Sequence, residues 1–183
     1  MLKFRVGNRQ GFTLVELALV LVIVGLLITG VLKGEALIEN ARMKRLVSEK
    51  DAISAAYFTF FDRYNQYPGD ESLATAPPND ATNGNNNGQI VGAEVLNLFQ
   101  DLQNAQILNG NYATNLPSNV YGGTISILWN AALGSNSVQL TAVPASVAAQ
   151  IDLKYDDGVA TTGTIRANAT YGGTAPLTLT WRL

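Results

Sequence analysis

The apolar stretch GFTLVELALVLVIVGLLITGVL, residues 11–32, decides how this chain is organised. From Phe12 to Leu32 the only polar side chains are Thr13, Glu16 and Thr29. This run is close to the roughly 20 residues that an α-helix needs to cross a bilayer core. The alternative is the buried helix of a globular protein, but such helices rarely stay apolar on every face for this length. The stretch therefore predicts a membrane-spanning helix.

A secretory signal peptide is the other alternative for this segment. The apolar region of a signal peptide runs for about 7–15 residues and ends at a small-residue cleavage site. Here the apolar run is longer, and the sequence that follows it, KGEALIENARMKRL, contains no such site. The polar, basic residues 1–11 that precede the run read instead as a short leader.

Composition removes several classes of function. The 183 residues include no cysteine and no histidine, so disulfides, thiol nucleophiles, histidine bases and Cys/His zinc sites are all excluded. The formal charge of −2 hides three basic residues in the leader; without residues 1–11 the chain has nine basic and fourteen acidic side chains. We therefore expect no nucleic-acid partner. No constellation of catalytic side chains stands out, so we expect a protein that is not an enzyme.

Glu16 lies within the apolar run and requires an explanation. A carboxylate inside a bilayer costs about 2.5–3.5 kcal/mol on insertion scales, so such a residue should have a partner and a function. Cleavage after Gly11 would place the new α-amino group of Phe12 one helical turn from Glu16. That amine, in the same chain or in an assembled neighbour, would supply the missing positive charge.

At these residues the chain resembles the type IV pilins and the pseudopilins of type II secretion. The sequence from Gly11 to Glu16, followed by an apolar run, is similar to the prepilin peptidase motif G-F-T-L-[IV]-E-[LM] of that family. The resemblance implies cleavage after Gly11, N-methylation of Phe12, and a role for Glu16 in assembly. It also implies the partners: identical or related subunits, the prepilin peptidase/methyltransferase, membrane lipid and an inner-membrane assembly platform.

The flanking charges do not fix an orientation, because basic residues lie on both sides of the apolar run. The family topology implies a single-pass protein of the bacterial inner membrane with its head in the periplasm, which then enters a pilus or pseudopilus and so reaches the cell surface. Four functions remain open: a pilus subunit, a minor pilin or pseudopilin, a membrane-anchored enzyme or binding module that never polymerises, and DNA uptake of the competence type, which the acidic balance disfavours.

The remaining sequence predicts an α+β, pilin-like fold. Leader residues 1–11 are followed by a transmembrane segment at 12–33 and by its amphipathic helical continuation at 34–66, which the sequence YPGD ends. Apolar residues recur along the continuation at Ile38, Leu46, Ile53, Tyr57, Phe60 and Tyr64. Residues 67–183 form the head, a small antiparallel sheet with short helices packed on the long spine helix.

Within the head we predict two helices and four strands. The first starts near Glu94 and places apolar residues on one side, and the second runs from Pro144 to Tyr155 with the proline near its start. The segments TISILWN and SVQLTAV alternate as a β-hairpin, and TIRANAT and LTLTWRL read as two further strands.

The loop NGNNNGQIVGAE, residues 83–94, matches the EF-hand pattern except at its first position. It predicts a weak calcium site, because Ca²⁺ prefers oxygen ligands and only one carboxylate is present. The candidate ligands are Asn83, Asn85, Asn87, Gln89 and Glu94. The alternative is a polar turn that binds nothing.

Asp152, Asp156 and Asp157 are a second candidate cation site, for which a solvated helix end is the favoured interpretation. The adjacent acids Asp70 and Glu71 are predicted to face water in a turn.

Overall fold

The computed structural model describes residues 11–79 and 83–183. The leader, apart from Gly11, lies outside the described residues. The chain divides into two compact units, residues 1–41 and residues 42–183.

One long helix, α1, runs from Leu14 to Tyr64 and confirms the predicted spine. It ends where Asn65 adopts a left-handed backbone conformation with φ of 55°, a common way to end a helix. Pro68 follows shortly after and cannot donate the backbone hydrogen bond that a further turn would require.

In the first unit the apolar side chains of α1 are exposed. Every residue from Phe12 to Lys33 is exposed, including Leu21 at 72 % and Leu26 at 69 %. This is the one helix among the described residues that is long and apolar enough to cross a membrane, with a mean hydropathy of 2.8 over its most apolar window. The segment presents apolar surface on all sides.

The second unit is the head, and its sheet has four antiparallel strands. They are β1 (Ile125–Asn130), β2 (Ser135–Val143), β3 (Ile165–Ala167) and β4 (Leu177–Arg182), arranged in the order β1-β2-β4-β3. All four lie where the sequence predicts strands, and β1 and β2 form the expected hairpin. The predicted run TIRANAT forms only the three-residue strand β3. At Asn168 the backbone N–H still donates to the carbonyl of Thr178, but the side-chain oxygen of Asn168, rather than its backbone carbonyl, accepts the N–H of Thr178.

Two short helices, α2 (Glu94–Asn104) and α3 (Ala145–Tyr155), also match the predicted positions. Together with the inner face of the sheet and the second part of α1, they enclose a core of buried side chains. Helix α1 contributes Met43, Leu46, Ile53, Ala56, Tyr57 and Phe60 to it.

The apolar stripe predicted along the continuation of the spine is therefore correct from Leu46 onward but not at Ile38. Ile38 is 58 % exposed and belongs to the first unit. The first buried residue of α1 is Met43, so the amphipathic part of the helix starts later than the sequence pattern indicated.

Candidate functional site

The candidate assembly site is the start of α1, where Glu16 folds back onto Thr13. One carboxylate oxygen, Oε2, accepts hydrogen bonds from the backbone N–H of Thr13 at 2.8 Å and from the Thr13 hydroxyl at 2.9 Å. The backbone N–H of Glu16 lies 3.2 Å from the Thr13 hydroxyl oxygen. This reciprocal arrangement is a capping box, which satisfies N–H groups that the first turn of a helix leaves without partners.

Capping also explains how the chain tolerates the acid at this position. The first turn of a helix carries a partial positive charge, which favours a carboxylate there. Glu16 therefore has local hydrogen-bond donors and a favourable field before any neighbouring subunit is considered. The sequence contains the signal for this contact, T-x-x-E before an apolar run, although Thr13 was not among the predicted site residues.

Gly11 and Phe12 precede the helix and are exposed. Neither belongs to a helix or strand, and Phe12 is 84 % exposed. Among the described residues, no group lies within 4 Å of the position that a Cβ atom on Gly11 would occupy. No described part of the chain therefore covers the bond between these two residues, and Glu16 lies about one turn beyond it.

The Asn-rich loop brings Asn85 and Glu94 together and engages the side chains of Asn83 and Asn87 in other hydrogen bonds. Nδ2 of Asn85 donates to Oε1 of Glu94 at 3.2 Å, and Oε2 of Glu94 accepts from the backbone N–H of Val91. The side-chain oxygen of Asn87 accepts the N–H of Gln89, whereas the amide of Asn83 donates to the carbonyl of Leu73. Asn85 and Glu94 are thus neighbours, and the calcium site remains a prediction.

The prediction that Asp70 and Glu71 face water is wrong. Asp70 is 1 % exposed and Glu71 is fully buried. The carboxylate of Asp70 accepts the backbone N–H groups of Asn87 at 3.1 Å and Gly88 at 2.6 Å, so the Asn-rich loop folds over it. No local sequence signal identifies this contact, because it joins residues 17 and 18 positions apart.

Gly84 allows this close approach of the loop. Its N–H donates to the carbonyl of Glu71 at 2.6 Å, and a Cβ atom at this position would collide with the backbone of Asp70. Only glycine fits here without moving the loop.

The second candidate cation site does bring its three carboxylates together. One oxygen atom from each of Asp152, Asp156 and Asp157 lies within 4.8 Å of the other two. Asp152 is fully buried and accepts a hydrogen bond from the Tyr171 hydroxyl at 2.6 Å, while Asp157 is exposed. Hydrogen bonds from the Thr162 hydroxyl and the Val159 N–H lower the pKa of Asp157. These oxygens are of the kind that hard cations prefer.

Comparison with known proteins gives one match. The family model described as the prokaryotic N-terminal methylation motif matches residues 7–32. No match was found among curated proteins or among solved structures. The matched segment contains Gly11 and Phe12, which precede α1, and Thr13 and Glu16, which form its capping box. The chain therefore carries, at residues 7–32, the prokaryotic N-terminal methylation motif, the hallmark of type IV pilin and pseudopilin precursors.

Proposed function

We propose that the protein is a structural subunit of a type IV pilus-like filament, cleaved after Gly11 and N-methylated at Phe12. The methylation motif itself indicates a pilin-like or pseudopilin protein. Proteins with this motif are structural subunits rather than enzymes, and we assign no catalytic role to the chain. The observation that carries the proposal is the capped acid, Glu16, at the start of a helix whose apolar side chains are exposed on every face.

The exposed apolar side chains of the first part of α1 must be shielded from water by lipid or by other subunits, because the described part of the chain leaves them exposed. The motif and the apolar helix together indicate anchoring in a membrane and assembly into a pilus or pseudopilus. At 1.5 Å per residue, the 20 helical residues from Leu14 to Lys33 span about 30 Å, which matches the ~30 Å of a bilayer core. In our proposal lipid covers this surface before assembly, with the head in the periplasm, and the same surface packs against identical or related subunits afterwards.

In our proposal, Glu16 determines whether the helix stays in lipid or packs against other subunits in the filament. Before assembly its carboxylate depends on Thr13 and on the helix end for compensation. Oε1 has no hydrogen bond among the described residues, so the carboxylate retains capacity for another donor. The cationic, methylated amine of Phe12, supplied by the same or a neighbouring subunit, would donate a charge-assisted hydrogen bond to this oxygen. Entry into the filament is then favoured over lipid.

The experiment replaces Glu16 by glutamine in the full-length precursor expressed in its own host, and measures protein in sheared surface filaments and in the inner membrane. We expect Glu16→Gln to be cleaved and to remain in the membrane, with sheared filament reduced at least about tenfold, because a charge-assisted bond is worth roughly 1.5–3 kcal/mol. Glu35→Gln is the matched control, since Glu35 is an exposed acid on the same helix beyond the apolar run.

Normal polymerisation of Glu16→Gln would contradict the proposal. Loss of filaments in both Glu16→Gln and Glu35→Gln would also contradict it. That result would mean that removal of either carboxylate from this helix impairs assembly and that Glu16 has no special role. Should the wild-type chain support secretion of an enzyme and form no sheared filament, the pseudopilin role replaces the pilus role.

A further inference from the structure

The face of the sheet directed away from the core carries a row of polar side chains. Side chains alternate along a strand, so the neighbours of the buried Leu140, Leu179 and Ile165 lie on the opposite face. The strand register pairs Gln139 with Thr180 and Thr180 with Arg166, which aligns these three residues across β2, β4 and β3. The row forms part of a depression of about 490 Å³. Binding sites for small molecules are typically about 300–1,000 Å³.

Arg166 supplies the positive charge of this depression. Its Nε donates to the carbonyl of Gly163 at 3.2 Å and its Nη1 to the carbonyl of Ala132 at 3.3 Å. Its charge helps to lower the pKa of the exposed Asp157, but among the described parts of the chain no carboxylate lies within the 4.0 Å of an ion pair with it. A guanidinium has five N–H donors in a fixed plane, so the two carbonyls orient the group and leave donors for a ligand.

Two asparagines at the rim are held with their amide oxygens turned to the backbone. Oδ1 of Asn130 accepts the N–H groups of Ala132 at 2.9 Å and of Leu133 at 3.2 Å. Oδ1 of Asn168 accepts the N–H of Thr178 at 2.8 Å. In both residues the amide NH₂ group remains as the donor, and both residues line the depression.

The lining therefore offers many donors and few fixed acceptors. Arg166 and the NH₂ groups of Asn130 and Asn168 donate, whereas the amide of Gln139 and the hydroxyls of Thr161, Thr178 and Thr180 can donate or accept. None of the described residues that line the depression is acidic, and none is aromatic. A complementary ligand has negative charge and several oxygen acceptors, and does not depend on ring stacking.

From this donor set we infer that the depression on the outer face of the head sheet binds a small hydroxylated carboxylate, a sugar acid or a short hydroxy acid. The carboxylate pairs with Arg166, for which the planar guanidinium is geometrically suited. The hydroxyl groups meet Gln139, Thr180 and the asparagine amides. A phosphate ester fits less well, because only one cationic side chain lines the depression.

The test is isothermal titration calorimetry of the full-length protein in detergent, with D-glucuronate, D-glucose and acetate as probes. We expect glucuronate to bind at least about tenfold more tightly than glucose, which lacks the charge, and than acetate, which lacks the hydroxyls. Arg166→Gln should reduce glucuronate affinity by about tenfold or more. Arg182→Gln is the matched control, because Arg182 is an exposed arginine of β4 that does not line the depression.

Thermal unfolding of each variant establishes that the head is intact. The inference is overturned if glucuronate binds no more tightly than glucose or acetate, if folded Arg166→Gln binds as the wild type does, or if Arg182→Gln loses as much affinity. Titration with D-glycerate distinguishes the two candidate ligand classes, a sugar acid and a short hydroxy acid. Equal affinity for glycerate and glucuronate identifies a short hydroxy acid, whereas weaker affinity for glycerate identifies a sugar acid.

Discussion

The two parts of helix α1 contain similar apolar residues in opposite surroundings. Leu26, in the first unit, is 69 % exposed, whereas Leu46, in the head, is fully buried. In the first part apolar side chains occur on every face, and in the second they are buried at spacings of mostly three, four or seven residues. The difference shows that periodicity, rather than apolar content, determines which part of a helix its own chain covers.

The strongest test of this comparison is a matched pair of truncations. Leu46→Ala should lower the free energy of unfolding of the head by about 2–5 kcal/mol, because it leaves a cavity in a closed core. Leu26→Ala should change it by no more than about 0.5 kcal/mol. Chemical unfolding in detergent, followed by tryptophan fluorescence from Trp129 and Trp181 of the head, measures both. Equal losses in the two variants would mean that the first part of α1 also belongs to the head's core.

A second pair compares a buried with an exposed carboxylate. Asp70→Asn keeps the shape of the side chain but removes the charge that receives the N–H groups of Asn87 and Gly88. We expect a loss of about 1.5–3 kcal/mol in stability, since hydrogen bonds to charged groups contribute that much. Asp62→Asn, at an exposed position of α1, should change stability by no more than about 0.5 kcal/mol.

Amide hydrogen exchange of the Asn-rich loop gives the local readout for this pair. Protection of the Asn87 and Gly88 amides should fall in Asp70→Asn and stay at the wild-type level in Asp62→Asn. Unchanged protection in Asp70→Asn would show that the charge of Asp70 does not hold the loop.

The smallest effect concerns the glycines of the first part of α1. No group of the described residues lies within 4 Å of a Cβ atom placed on Gly30, and the backbone of Gly30 is helical. Gly30→Ala should therefore stabilise the local helix by about 0.8–1 kcal/mol through propensity alone. Slower amide exchange around residue 30 in micelles, with unchanged exchange in the head, is the expected result. Faster exchange at these amides would indicate that Gly30 accommodates a contact in the detergent-embedded protein.

Local patterns in the sequence predicted most of the fold. Length and hydropathy located the apolar helix, the period of two located β1, β2 and β4, and the proline and glycine of YPGD located the end of α1. The end of β3 was missed, because the residue that stops the strand, Asn168, acts through a contact with Thr178 ten positions away. Ile38 was misplaced because the same apolar residue fits a core, a lipid surface or a subunit interface.

The candidate sites also differ in whether their residues are close together in the sequence. Gly11, Phe12 and Glu16 could be predicted as site residues because their motif is continuous in sequence, and the contact of Thr13 with Glu16 was predictable from its capping spacing. The burial of Asp70 and the depression around Arg166 depend on residues brought together from distant segments. Contacts between distant segments cannot be predicted from the local spacing of residues, so they are seen only in the structure.

Mass spectrometry of the N-terminus of the protein purified from its host shows whether the chain is processed just before α1, so that Glu16 can meet a cationic amine. We expect a chain that begins at N-methylated Phe12 and lacks residues 1–11. A chain that retains Met1, or one that begins after Leu32, would contradict this expectation.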